Sequence, residues 1–427
     1  MSLPASSDSR APALRRNRDF LLLQAGQLLS SAGSQIGSIA YPLLVLAVTG
    51  SPAKTGIVGA VQLLARAIFA LPAGLVADRV SRKRVMIAAD VLRMVTIATL
   101  AVAIAADELT FSLIVAVAFL ESSGGPFFQA AQNGALRSVV PAEQLPDAIN
   151  VVTGRQAAVN LGGPAVGGAL FGLARALPFV IDALSYAFSS LSLLLMRTPF
   201  QEERESEEAS IRAQLLEGLR FLWRQSFIRA TAFVFAPLNL LGLGMMLTLV
   251  VTAKDQGLSG TVVGLLVASF GAGVLVGSLV SPLVRRALPP RAVLLLEVWM
   301  WPAPLAFCVW PSVWVLAISL LPAAIAIPST DSVVYGYQLT ITPDRLVGRV
   351  NSVFSALVLA FSPLGPLVAG FLLDASTART TIGVFAGGTL LVAVAATISP
   401  ALRSARLDGL GAKTSPDEAD LGVTPSA

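Results

Sequence analysis

Eight ionisable side chains interrupt long apolar runs of the sequence: Arg66, Asp90, Arg93, Glu121, Arg155, Asp182, Glu297 and Asp331. An isolated charge inside hydrocarbon is costly, so such groups either pair with one another or move a proton or a ligand. Arg66 and Glu121 each lie about twelve residues from the same end of their runs, which at about 1.5 Å per residue places both near mid-depth and makes them candidate partners. A carboxylate whose surroundings alternate between apolar and charged neighbours takes up and releases a proton, and Glu121 is the leading candidate for that work. The alternative is a permanent structural ion pair with Arg66. Asp90 and Glu297 follow the loop arginines Arg84 and Arg291 at a matched spacing and are expected in charge clusters near one end. Arg93 and Arg155 are expected in structural pairs.

The chemistry open to the rest of the chain is narrow. Histidine is absent, which excludes Ser-His-Asp and Cys-His triads and imidazole proton shuttles, and the single Cys308 excludes disulfides and thiolate cages. No Gly-Lys dipeptide occurs, so a Walker A loop cannot form. No catalytic residues, metal ligands or cofactors are expected, and the chain is not read as an enzyme. A net charge of +5 could suggest nucleic acid, but the basic residues sit in short loops between apolar runs rather than on a solvated face. With 55% hydrophobic and 13% charged residues the solvent must be a bilayer.

The elements that position these groups follow from that solvent. A hydrocarbon core of about 30 Å needs roughly 20 apolar residues per helix. The sequence predicts twelve spans, at 20–48, 55–77, 85–106, 109–132, 146–172, 175–196, 227–252, 260–284, 290–310, 312–339, 348–373 and 379–401. The expected organisation is a cytoplasmic N-terminal tail (1–19), a six-helix bundle (20–196), a cytoplasmic linker (197–226), a second six-helix bundle (227–401) and a disordered cytoplasmic tail (402–427). The first run is too long for the apolar core of a signal peptide and is read as an uncleaved span. The linker carries an acidic run, Glu202, Glu203, Glu205, Glu207 and Glu208, then an amphipathic segment with Trp223 expected to form a surface helix. With both termini inside, 23 of the 30 Lys and Arg fall on the inner side, four (Lys54, Arg175, Lys254, Arg379) on the outer side and three within spans. That asymmetry predicts a multi-pass protein of the cell membrane with both ends cytoplasmic.

An internal repeat relates the halves. A shift of 202 positions lays Pro141 on Pro343 and Gly163-Pro164-Ala165-Val166-Gly167-Gly168-Ala169-Leu170 on Gly365-Pro366-Leu367-Val368-Ala369-Gly370-Phe371-Leu372, with five of these eight positions identical. Two bundles in the same orientation, with a site between them near the midplane, are therefore expected.

Five stretches carry a family resemblance. Gly74-Leu75-Val76-Ala77-Asp78-Arg79-Val80-Ser81-Arg82-Lys83-Arg84 resembles the loop motif of the major facilitator superfamily, with Ser81 at the usual glycine. In that motif Gly74 permits close helix approach, and Asp78 pairs with a helix N-terminus or an arginine while the inner ends are together, so Asp78, Arg79, Arg82, Lys83 and Arg84 form a gating set. The matching loop of the second half has Ser281 in place of the aspartate, and the gate is expected to be asymmetric. Gly163-Pro164-Ala165-Val166-Gly167-Gly168 resembles the fifth-helix motif of superfamily exporters, a pliable helix where the halves meet. The stretches "VVPAEQLPDAIN", "ALPFVIDALSYAFSSLSLLLMRTP" and "FLLLQAGQLLSSAGSQIGSIAYPLLVLAVTGSPAKTGIV" are similar to the branch that includes the enterobactin exporter and the macrolide efflux proteins. Ser34 stands where many relatives have an acidic residue, and the fourth span lacks an Arg-x-x-x-Gly motif.

The resemblance implies an all-α membrane protein with twelve helices in two six-helix halves. It also implies a cavity lined by the first, fourth, seventh and tenth helices, which favours Glu121 and Asp331 as proton sites over Asp182, Asp90 and Glu297. The expected polar lining is Gln35, Gln129, Gln132, Asn133, Asn239, Asp331, Tyr335 and Gln338, with apolar walls from Tyr41, Phe127, Phe128 and Phe235. Such a mixture suits a bulky amphipathic compound. The implied function is export of an antibiotic, natural product or drug by alternating access, driven by a proton gradient, by a monomer whose partners are the small molecule and the bilayer. A siderophore exporter, or a receptor or scaffold that keeps the fold without transport, are the alternatives.

Overall fold

The computed structural model describes residues 14–198 and 211–403. The acidic run of the linker and the tail beyond residue 403 lie outside the described residues, as do the side chains of Asp78 and Asn133. The described chain is helical. The first half comprises α1 (Arg18–Thr49), α2 (Pro52–Arg79), α3 (Arg82–Ala105), α4 (Phe111–Val139), α5 (Leu145–Leu173) and α6 (Leu177–Leu195). A short helix, α7 (Ile211–Arg224), precedes the second half. That half comprises α8 (Ser226–Asp255), α9 (Gly260–Ala287), α10 (Pro290–Met300), α11 (Ala306–Val309), α12 (Val313–Ile341), α13 (Val347–Leu359), α14 (Leu364–Ala375), α15 (Ala378–Ile398) and α16 (Pro400–Arg403).

Eleven rods are long and apolar enough to cross a bilayer, with α10 to α11 counted as one and α13 to α14 as another. The twelfth is α5, 29 residues long, whose hydropathy is lowered by Asp147, Asn150, Arg155, Gln156 and Asn160. Helix starts follow cap chemistry: the side chains of Asn17, Ser51, Thr110, Ser259 and Thr377 accept from the amides of Phe20, Lys54, Leu113, Val262 and Thr380. Gly50, at φ 62°, ends α1 in the left-handed conformation that lets the chain reverse into α2.

Two spans differ from the sequence expectation of continuous helices. The ninth breaks after Met300, where Pro302 and Pro304 interrupt the ladder, and the eleventh breaks between Leu359 and Leu364 at Pro363. The repeat partner α5 has Leu161 at the position of Pro363 and stays continuous.

The repeat is visible in the packing. Gly163 of α5 lies against Gln35 of α1, and its counterpart Gly365 lies against Leu240 and Gly244 of α8. Gly168 lies against Gly260 and Gly264 of α9, and its counterpart Gly370 against Pro52, Ala53 and Gly56 of α2. The Pro164 carbonyl faces Gly264 just as the Pro366 carbonyl faces Gly56. These two crossings join the halves at the end away from the chain termini, where a side chain on any of the glycines would meet backbone. Ser51 adds a hydrogen bond to Asp374 Oδ2 at 2.9 Å across the same boundary. Among the described residues, the glycine crossings between halves are confined to this far end and to Asn160 on Gly271 nearer mid-depth.

At the terminal end each half is tied to itself. Lys83 Nζ donates to the carbonyls of Met196 at 2.8 Å and Leu194 at 3.4 Å, capping the C-terminus of α6. Asp19 accepts from the Arg197 and Thr198 amides at 3.1 and 2.8 Å. The amphipathic α7 buries Leu222 and docks on α13 through Glu217, which pairs with Arg345 at 3.2 Å and Arg349 at 2.5 Å.

Candidate functional site

The charges of the first half converge near mid-depth. Arg93 of α3 donates to Glu121 Oε1 through Nη2 at 2.8 Å and Nε at 3.2 Å. Tyr186 of α6 donates to the same oxygen at 3.1 Å, and Ser122 Oγ donates to Oε2 at 3.2 Å. Arg93 also reaches Ser34 Oγ at 3.0 Å and lies over the Tyr186 ring at 4.1 Å. The expected Glu121–Arg66 pair is therefore corrected: the partner is Arg93. The reason is steric, because Gly124 of α4 leaves the space that the aliphatic stem of Arg93 fills. Arg66 is exposed to the cavity, near enough to influence Glu121, and forms no ion pair among the described residues.

The family resemblance places Asp182 on a peripheral helix, below the cavity carboxylates as a proton site, and the structure corrects this by setting it in the cavity wall. Gly33 and Gly37 of α1 open a window through which Asp182, 2% exposed, reaches the cavity. A Cβ on Gly33 would meet both Asp182 Oδ1 and Ser185 Oγ.

Two adjoining cavities share Ser34, Arg66 and Glu121. The one toward the far end, of about 300 Å³, is apolar over most of its wall and reaches across to Leu243, Met246 and Leu247 of α8 and Pro366 of α14. The other, of about 330 Å³, is lined by Gln35, Gln129, Gln132, Gln156 and Phe128. Tyr41 lines the apolar cavity and packs edge-on against Phe179 at 5.3 Å. Phe127 stacks on Phe69 at 6.0 Å. Several of the glutamines are already engaged: Gln35 donates to Asn160 Oδ1 at 2.8 Å and Gln132 to Gln27 Oε1 at 2.8 Å. Arg155, expected in an ion pair, instead donates to Gln24 and Gln27, each at 2.7 Å, so neutral amides and not a carboxylate solvate it.

A third cavity, of about 590 Å³, lies in the second half. It gathers Asn239, Asp331, Tyr335, Gln338 and Phe235, all expected as lining residues, and adds Glu297, which was expected in an inner charge cluster. Glu297 Oε1 accepts from the Trp301 indole at 3.3 Å, with no basic partner among the described residues. The companion expectation for Asp90 also fails: it is fully buried beside Ser189 rather than in an ion-pair cluster.

The loop expected to act as a gate is only partly engaged in contacts with neighbouring helices. Arg79 and Arg84 are exposed, Arg82 lies against Gly134 of α4, and Lys83 caps α6. Gly74 has open space where a Cβ would stand, so the expected close approach is not made in this conformation, in which the halves meet at the far end. Its second-half counterpart, Gly277, does pack tightly, on the Ile325 backbone of α12. Pro164, Gly163, Gly167 and Gly168 all occupy helix crossings, the first two and Gly168 as described above and Gly167 against Ile36.

The lining positions Gln35, Gln129 and Gln132 are legible in the sequence, whereas Gln156 of α5 and the window glycines Gly33 and Gly37 are not. Arg93 takes the structural pair expected of it, with Glu121 as the partner, while the place of Asp182 in the cavity wall depends on the rotation of one helix against another.

Comparison with known proteins agrees with this architecture. The profile of the family described as transmembrane secretion effector matches residues 9–420. The chain is 28% identical over 402 residues to the multidrug efflux pump Tap of Mycolicibacterium fortuitum, covering 90% of this chain and 96% of that protein. It is 24% identical over 395 residues to the macrolide efflux protein A of Streptococcus pyogenes, covering 88% and 94%. Among solved structures, the nucleoside transporter NupG superposes with a TM-score of 0.69 at 16% identity, covering 91% of this chain and 99% of that one. A bacterial homologue of the lysosomal transporter Spinster, inward-facing and unoccupied, superposes with a TM-score of 0.70 at 15% identity, covering 91% and 98%. With two repeated six-helix halves, a cavity at their junction and a family match spanning nearly the whole sequence, the chain belongs to the transmembrane secretion effector family of the major facilitator superfamily.

Proposed function

We propose that the protein exports bulky amphipathic small molecules across the cell membrane by alternating access, exchanging them for protons. One observation carries this reading: at mid-depth an apolar cavity and a glutamine-lined cavity share Ser34, Arg66 and Glu121, while the halves are joined at the far end. A site with one apolar and one polar wall suits a large cargo with a polar edge. Its relatives named as multidrug and macrolide efflux pumps support the same cargo class.

In the proposed orientation both termini are cytoplasmic and the described conformation faces inward. The crossings of α5 on α9 and of α14 on α2 then form the closed outer gate. Asp78 and its basic neighbours close the inner side in the opposite state. Glu121 is paired with Arg93, so the proton is carried by Asp182, which lines the cavity and forms no ion pair among the described residues. The protein works as a monomer, and its energy comes from the proton gradient alone.

The test is accumulation of macrolides and tetracyclines in an efflux-deficient bacterial strain, with and without a protonophore. Lower accumulation that the protonophore abolishes is expected. Binding without turnover in purified vesicles would replace export with a receptor role.

A further inference from the structure

The second-half cavity differs from those of the first half in charge. Arg66 and Arg93 face Glu121 and Asp182 in the first half, whereas Glu297 and Asp331 line the second-half cavity with no lysine or arginine among its walls. Glu297 is 4% exposed and its Oε2 has no hydrogen-bond partner. The Thr330 hydroxyl beside it is engaged with the Val293 carbonyl at 3.3 Å. Gln338, 5% exposed and lining the same cavity, has an amide Nε2 without an acceptor. Buried polar atoms are almost always paired, and a carboxylate with neither a cation nor a full set of donors is the costliest exception.

The geometry points to an ammonium-binding site: a protonated amine of the cargo sits between Glu297 and Asp331, its N–H groups meeting the unserved oxygen. A hydroxyl or carbonyl close to that amine accepts from Gln338. Trp301, Tyr335 and Phe235 supply ring faces on which a cation and its apolar body rest. The space, about 590 Å³, lies within the range of roughly 300–1,000 Å³ that drug-sized ligands occupy. Low-dielectric walls around two uncompensated carboxylates concentrate cations in the cavity. The inference deepens the export reading, on which it rests, by naming the cargo as an amine-bearing amphiphile held by the second half, while the first half handles the proton.

The experiment is equilibrium dialysis at pH 7.5 with the full chain purified in detergent, using propranolol as the amine probe and N-acetylpropranolol as its uncharged counterpart. Hydrogen bonds to charged groups set the scale, so the wild type is expected to prefer the amine by about tenfold or more, and Asp331→Asn and Glu297→Gln are each expected to remove most of that preference. Binding of the amide is expected to stay unchanged. Asp331 is exposed to the cavity, so Asp331→Asn decides the matter even where Glu297→Gln unfolds. A wild type without amine preference, variants that keep it, or equal loss of amine and amide overturns the inference. Transport is read separately in inverted vesicles. Amine binding without transport overturns the export reading alone, and transport without amine preference overturns the ammonium site alone.

Discussion

Arg93 holds Glu121 through two of its nitrogens, at 2.8 and 3.2 Å, in the interior of the first half. Removing one partner of a buried pair leaves the other charged and unsolvated, a loss of about 3–5 kcal/mol. Arg93→Ala is therefore expected to lower the thermal unfolding midpoint in detergent strongly. Glu121→Gln removes the charge facing an arginine that cannot shed its proton and is expected to lower the midpoint as well, with the amide oxygen retained as an acceptor offsetting part of the loss. Identical midpoints for Arg93→Ala and the wild type would show that the pair carries no stability.

Asp182 and Glu121 are separable by transport. Asp182→Asn is expected to abolish cargo movement driven by a proton gradient in inverted vesicles while sparing cargo-for-cargo exchange, because exchange moves no net proton. Glu121→Gln is expected to retain gradient-driven movement at a reduced rate. The reverse pattern would return the proton to Glu121.

The far-end crossing tolerates no side chain. In Gly168→Leu the added atoms would run into the Gly260 backbone and force α5 from α9. Gly154, on the same helix, has open space at its Cβ, and Gly154→Ala is expected to be neutral. Overpacking of this kind costs about 1–3 kcal/mol, enough to shift a two-state balance by roughly tenfold or more toward the state in which these ends are apart. Spin-label distances across α5 and α9 would report the shift, and an unchanged distribution for Gly168→Leu would remove the crossing from the gate.

Ser51 and Asp374 make a smaller contribution to the same boundary. Losing their hydrogen bond in Ser51→Ala is worth about 0.5–1.5 kcal/mol. The expected result is a severalfold change in far-end opening, measured with the same labels, and the double variant with Asp374→Asn should add little to either single change.

The twelve spans were legible because hydrocarbon thickness and basic-residue placement act on composition, which needs no partner. The repeat was legible for the same reason, and Gly163, Gly168, Gly365 and Gly370 took up matching contacts. The second-half lining was legible too, since Asn239, Asp331, Tyr335 and Gln338 sit on helices that the family resemblance places around the cavity. What sequence spacing did not disclose was which way each helix is turned. Arg93 replaced Arg66 because Gly124 makes room for it, and Asp182 entered the cavity because Gly33 and Gly37 thin the intervening helix. Both turn on a missing side chain in a neighbour, a signal that depth alone does not reveal. The breaks at Pro302 and Pro363 show a further limit, since α12 keeps Pro322 and Pro328 within one unbroken helix.

The crossing of Asn160 on Gly271 makes a lever of α5. From that fulcrum the helix runs roughly 22 Å to its start at Leu145, so a tilt of about fifteen degrees sweeps the start through roughly 6 Å, about the breadth of one side chain. In the proposed exporter, a rotation of that size would be amplified at the mouth into the difference between an open vestibule and a plugged one.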